Sequence, residues 1–427
     1  MKIGYASIDI TPPVGVELCG YGYFPGRRAE GVTDPLYARA VSIQQGEKTL
    51  LLINCDLIGL TQKITDGVKE QLSRRLNLDR KSIMILCTHT HTGPATGTLI
   101  ACGEMDDSYM ASLPGLLIQA GCEAGKHPRE VKEIKYLKIP IEPIGFNRVF
   151  KGGPVDNNIR GLVFNFVEGD PLAIVNYACH PVTLGPQKHV SADYPGRVIK
   201  NLSDHGYDGL FLNGFCGDID PVSNLEKWGS GTEDTIDAYG KRIVNAFLQQ
   251  VSDETTVNDT MTADTVINDI SINNLEIGAY EIKIDLKLQP YDDAKIDEEY
   301  NLFKKGTNEE LAKIWAETMR KYLNTTENPY IESVIVQIFK IDKILFVGFP
   351  GEAFTELGTI IKNSLSDYHV ITLGNCNSTM RYIPTEEDII NRRYAGYSSC
   401  FIYSRLPLAP GEGERLAQMT VSFMELV

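Results

Sequence analysis

The chain has 427 residues, room for one elaborate catalytic domain or about two or three average ones, and its 23% charged and 43% hydrophobic residues are an ordinary globular balance. Its net charge of −15, from 41 basic and 56 acidic side chains, would repel nucleic acid and anionic membranes, so neither is an expected partner. The 9 cysteines are odd in number and contain no CxxC, which argues against a disulfide framework or structural zinc finger and for a reducing compartment.

In chain order, MKIGYASIDITPP carries Asp9 and no apolar h-region, so no signal peptide is expected and the location reads as cytoplasmic. No run reaches the roughly 18 apolar residues of a membrane helix, so no stable membrane insertion is expected. YARAVSIQ (37–44) and KTLLLINCD (48–56) read as buried strands. Between them and the next strand, TQKITDGVKEQLSRRLN (61–77) spaces Ile64, Val68, Leu72 and Leu76 as an amphipathic helix. KSIMILCTH (81–89) is a strand again, so the order strand, helix, strand predicts a βαβ unit with a parallel pair.

PLAIVNYACHP (171–181) and GLFLNGFCGDIDP (209–221) share one scheme, an apolar strand followed by a polar turn. DKILFVGFPGEAFTELG (342–358) repeats it. In open α/β sheets the loops beyond the carboxyl ends of strands carry the chemistry. TVINDISINNLEIGAYEIKIDLKLQ (265–289) alternates with period two and reads as antiparallel ribbon, followed by helix-like segments around 293–305 and 308–323. The stretch 256–330 therefore reads as an excursion from a single domain covering 1–427.

Two of only 7 histidines, His89 and His91, stand two residues apart after the strand at 81–89. If the strand continues, both side chains face one side. The competing reading is a surface or hydrogen-bonded core pair. His180 also closes a strand, and Pro181 stops ladder pairing there. Three strand-end imidazoles make a metal site plausible, and Glu352 offers an oxygen ligand. Alone, Glu352 reads equally well as a first-turn helix acid. No HExxH is present. His127 and His205 read as solvated, His369 as a strand start, and His189 stays ambiguous. Asp218 and Asp220 can bind a cation, orient a histidine or make turns. Asp56 and Asp193 can each fix the tautomer of a ligating histidine.

Seven segments in this order resemble one family. GYASIDITPPVGVELCGYG through GVTDPLYARAVSI is similar to the opening of the neutral (non-lysosomal) ceramidases, THTHTGP to their THTHSGP, and GFNRVF to their NRS segment. NYACHPVTLG, NGFCGDIDP, FPGEAFTELG and RYIPTEEDIINRRYAG resemble that family's HP, GDVSP, PGE-F-T and Y-I-T-x-E-E…RYE motifs. The resemblance covers residues 4 to about 400. It implies an α/β fold, a layered mixed-sheet catalytic domain with helices outside packed sheets. It also implies a zinc held by His89, His180, Glu352 and Tyr382, with His91, Tyr394 and Arg148 on the substrate.

The sequence departs from the family at two points. The loop's serine is replaced by Asp220, and the serine before the family's Gly-Asp is absent from Asn213–Cys216. A C-terminal β-sandwich is not expected in the 33 residues after Tyr394 (427 − 394). The expectation is a zinc-dependent hydrolase cleaving an N-acyl amide, with ceramide not required as the substrate. One alternative is a metal phosphoesterase built on Asp218, Asp220, His89 and His180, with two metals ~3.5–4 Å apart. The other is a non-catalytic zinc-containing binding protein, since fold alone does not settle function.

Overall fold

The computed structural model describes residues 1–252, 265–272, 275–306 and 308–427. Two sheets pack face to face with helices outside both. The larger, nine-stranded sheet runs 208–213, 172–177, 158–166, 129–140, 2–9, 37–45, 48–55 and 83–87, with 266–270 also pairing 129–140. The smaller runs 277–287, 331–341, 344–348 and 369–373. Leu50, Leu52, Phe164 and Ile174 of the large sheet interdigitate with Phe339, Ile341, Phe346 and Ile371 of the small one. Strands buried on both faces need continuous apolar runs, which LLLIN and ILFVG supply.

The helix Gln62–Leu76 and the helix Asp107–Lys126 cover the outer face of strands 37–45 and 48–55. Val68 and Leu72 are fully buried, as the four-residue spacing requires, and Asn77 ends the first helix in left-handed conformation with its N–H on Ser73 O. Asp193–Asp204 and Glu233–Ser252 cover strands 158–166 and 172–177. Glu309–Thr325, Thr355–Ser364 and Glu412–Met424 cover the small sheet.

Strands 48–55 and 83–87 are parallel, as the βαβ reading expects. So are 172–177 with 208–213, and 344–348 with 369–373. The segment read as ribbon is antiparallel, but its strands 266–270 and 277–287 pair with 129–140 and 331–341 in different sheets, not with each other. Period two reports exposure on one face and is silent about the partner strand. Of the stretch 256–330, residues 256–264, 273–274 and 307 lie outside the described residues. The helix-like segments are helices Asp293–Gly306 and Glu309–Thr325. All 9 cysteines are free. Among the described residues no helix is long and apolar enough to cross a membrane.

Candidate metal centre and active-site cavity

Strands 83–87 and 208–213 lie at opposite ends of the large sheet's order, yet their carboxyl ends meet. Asn54 donates its side-chain amide to Phe211 O (2.6 Å) and Asn213 donates to Thr88 O (3.0 Å), so the sheet curls until its edges touch. The small sheet docks on the same seam, where Gly374 N–H reaches Asn213 O (3.2 Å) and Asn377 N–H reaches Ile85 O (2.6 Å). Three parallel strand pairs thus deliver their loops to one point. The first pair brings the turn at His89 and the second brings His180. The third brings Glu352, whose two-residue strand pairs with Tyr382–Ile383 in the register Glu352↔Tyr382.

The histidines do not arrive by strand alternation. The strand stops at Cys87, and His89 sits in left-handed conformation at φ 70, an uncommon choice for a non-glycine residue and one concentrated at functional sites. The turn still brings the two rings to 4.9 Å between centroids, with His180 5.1 Å from His89. Gly20 makes room: at φ 111, a Cβ there would lie 2.6 Å from His91 Nδ1.

His89 Nδ1 lies 2.5 Å from Ile58 O, and His180 Nδ1 lies 2.6 Å from Cys216 O. A carbonyl only accepts, so each Nδ1 carries the hydrogen and each Nε2 presents its lone pair. Both Nε2 atoms face the same carboxylate oxygen, Glu352 Oε2, at 3.2 and 2.8 Å. His89 Nε2 makes no hydrogen bond. Tyr403 donates its hydroxyl to Glu352 Oε1. Two imidazole nitrogens and a carboxylate oxygen thus converge in a buried hole, an arrangement that fits a cation. The ligand atoms of His89, His91 and His180 also lie within 4.8 Å of one another, and both nitrogens of His91 lack partners. Burial would raise the Glu352 carboxyl, but positive charge at the His89 and His180 rings holds it well below the usual carboxylate range, so the carboxylate is stable there only with a cation or a proton on the imidazole side. Burial pushes the His180 and His91 imidazoles down, toward the neutral form a metal ligand needs.

The hole opens into a cavity of about 630 Å³ lined by His91, Arg148, Glu352, Tyr382, Tyr394 and Tyr403, among others. Arg148 donates to Tyr382 Oη (2.9 Å), Gly217 O (2.8 Å) and Asp220 Oδ1 (3.0 Å). Tyr394 stands at the mouth, 48% exposed, at the head of a short π-helical turn over 394–398. Burial, then the charge of Glu352, raises the Tyr382 phenol well above its ordinary value. All seven site residues read from the sequence, His89, His91, Arg148, His180, Glu352, Tyr382 and Tyr394, meet here.

Four acids behave differently from the expectation. Asp56 pairs with Arg39 (2.7 Å) and Asp193 caps Tyr194 N (2.7 Å), so backbone carbonyls, not these acids, fix the imidazole tautomers. Asp218 accepts from Thr355 N (2.8 Å), Thr355 Oγ1 (2.9 Å) and Asn147 Nδ2 (2.8 Å), and it holds the loop onto the Glu352 turn. Asp220 is taken by Arg148. Neither Asp218 nor Asp220 stands free as a ligand. Tyr403, Tyr21 and Trp228 line the cavity without having been singled out in the sequence. A tyrosine in an apolar context carries no spacing signal, so only three-dimensional proximity reveals them.

The first 102 residues match the family model described as neutral/alkaline non-lysosomal ceramidase, N-terminal. The crystal structure of neutral ceramidase from Pseudomonas aeruginosa superposes with a TM-score of 0.74 over 98% of this chain and 73% of that one, at 16% identity. A ceramidase complexed with C2 superposes equally well, TM-score 0.74, over 100% of this chain and 75% of that one, also at 16% identity. The resemblance drawn from the motifs therefore holds in the N-terminal family match, and the layered α/β fold is that of these ceramidases.

Proposed function

We propose that this chain is a zinc-dependent hydrolase that cleaves an N-acyl amide, with His89, His180, Glu352 and Tyr382 as metal ligands. The observation that carries the reading is the meeting of His89 Nε2, His180 Nε2 and Glu352 Oε2 in one buried hole. A bound zinc supplies Lewis-acid chemistry, polarising a carbonyl and lowering the pKa of water from 15.7 to roughly 7.

The chain's own residues supply the rest. His91 projects into the cavity with both ring nitrogens unpaired, ready to donate to the amide oxygen and to return a proton to the leaving amine. Tyr394 Oη is a second donor toward that oxygen. Losing one such donor typically costs roughly 10²–10³ in turnover. Arg148, whose guanidinium is taken by three partners, orients Tyr382 and sets a positive charge on the cavity wall facing the substrate. The apolar wall of Leu99, Val149, Val182 and Ile402 excludes water and suits an acyl chain.

The phosphoesterase alternative loses its support because Asp218 and Asp220 are committed elsewhere. Metal analysis of purified protein tests the main reading. About one zinc per chain is expected in the wild type and in His91→Ala, and less than about one tenth in His89→Ala and Glu352→Ala. Loss of zinc in His91→Ala with retention in Glu352→Ala would replace the carboxylate with the third histidine. Zinc in the wild type without turnover of any N-acyl amide would favour a binding protein.

A further inference from the structure

Apart from His91 and the tyrosines, the ionisable groups on the cavity wall are Arg148, Arg393, Asp220 and Glu352, two cations against two anions. Any cation at the histidine cluster leaves the cavity net positive inside a chain of net charge −15. Arg148 is spent on Asp220, Gly217 and Tyr382. Arg393 is not. Its guanidinium lies 4.1 Å over the Phe150 ring, and its Nη2 reaches only Glu387 (3.1 Å), whose side chain is 62% exposed and screened by water. Its Nη1 has no protein partner, and because it is shielded from water an anion in the cavity that Arg393 lines reaches it only when the side chain turns. A buried N–H left unpaired is costly, and a charged one is satisfied best by an anion.

Position adds to this. Arg393 directly precedes Tyr394, and its backbone N–H is tied to Asp388 O (3.0 Å). The unpaired guanidinium nitrogen and the phenol proposed to meet the amide oxygen come from one turn, so an anion bound at Arg393 belongs near the scissile bond. The remaining wall, with Trp228 and Tyr21 packed edge to face at 4.9 Å, offers hydrocarbon and aromatic surface.

We propose that the substrate is an N-acyl amino acid, whose carboxylate is bound by Arg393 while the apolar wall takes the acyl chain. The proposal rests on the amide-hydrolase reading above. The step is R–CO–NH–CHR′–COO⁻ plus water giving R–COO⁻ and ⁺H₃N–CHR′–COO⁻. The C–N bond breaks and a C–O bond forms. The electron pair leaves with nitrogen, and both protons of water end on the amine.

The test compares N-dodecanoylglycine with N-dodecanoylethanolamine, an uncharged amide of matched length, in hydrolysis by the zinc-loaded enzyme and in titration calorimetry of the metal-stripped protein. We expect the anion to be preferred, with Arg393→Gln raising its KM and Kd roughly tenfold at little cost in kcat and leaving the neutral amide unchanged. Arg393→Lys should recover part of the preference. Arg393→Gln should melt where the wild type does. Hydrolysis of both amides without preference, or an equal loss on both in Arg393→Gln, would overturn the proposal and leave the amidase reading standing. Hydrolysis of neither, with charge-selective binding that vanishes in Arg393→Gln, would overturn the amidase reading and with it the substrate, leaving Arg393 as a carboxylate-binding residue.

Discussion

Two buried clusters of ionisable side chains differ in one respect. Around Asp156, the carboxylate receives Arg160 Nη1 at 2.7 Å, Lys362 Nζ at 2.6 Å and Asn158 Nδ2 at 3.1 Å, so donors and acceptors match within the chain. Around Glu352, the carboxylate meets two imidazole nitrogens, which match its charge only when they share a cation or take up a proton. The first cluster ties strand 158–166 to helix Thr355–Ser364 and is a device of stability. The second is incomplete in the polypeptide, and that incompleteness is what a functional site looks like in electrostatic terms.

Substitution should separate the two clusters. Burial opposes ionisation of Asp156, but Lys362 and Arg160 prevail and hold its carboxyl well below the usual range. Asp156→Ala strands two buried cations and should lower unfolding free energy by about 3–5 kcal/mol, read by denaturant titration, while the zinc content of whatever remains folded stays unchanged. A loss below about 1 kcal/mol would mean that the cluster is hydrated and the contrast with Glu352 is false.

Asp193 lies between the two cases, fully buried and bonded to neutral donors, among them Tyr194 N at 2.7 Å and Leu184 N at 3.2 Å. Burial raises its carboxyl from 3.8 to about 6. The folded state therefore binds the proton more tightly than the unfolded chain does. The stability this adds is complete below about pH 4 and is lost as pH rises through 6. Asp193→Asn removes that dependence and keeps a residue that tolerates the local φ of 54. Between pH 4 and 7 the variant should gain on the wild type by up to roughly 3 kcal/mol, whatever constant offset the altered Leu184 contact adds. A difference that stays flat with pH would show Asp193 ionising normally.

Much of this was legible in the sequence because strand-end loops announce themselves. Apolar runs ending in CTHTH, NYACHP and GFPGE mark parallel strands and their loaded carboxyl ends, and the Ile64–Leu76 spacing marks the crossover helix. The alternation argument for His89 and His91 failed in its reason, since the strand stops at Cys87 and a left-handed turn does the work. Periodicity cannot report where a strand ends when the next residues are Thr and His. The curl that joins the sheet's edges rests on single amides at Asn54 and Asn213, which carry no spacing signal. The roles suggested for Asp56 and Asp193 failed for a related reason. Backbone carbonyls of Ile58 and Cys216 took the imidazole hydrogens, and a sequence does not show where its carbonyls point.

The smallest effect is also the sharpest probe of the Glu352 cluster. In the metal-stripped protein, His89 Nε2, His180 Nε2 and Glu352 Oε2 are three acceptors in contact, a repulsion that only a scavenged proton relieves. Glu352→Gln keeps the shape but can turn an amide N–H₂ toward the imidazoles while its carbonyl oxygen keeps the Tyr403 hydroxyl. A typical hydrogen bond nets about 1 kcal/mol, so the stripped variant should unfold at slightly higher denaturant concentration than the stripped wild type. Added zinc should then reverse the order, because binding to the folded state alone stabilises the wild type by mass action and leaves the variant where it was. If the stripped variant is instead the less stable, the carboxylate and imidazoles already share a proton as a self-sufficient pair, and the Glu352 cluster would belong with Asp156 after all.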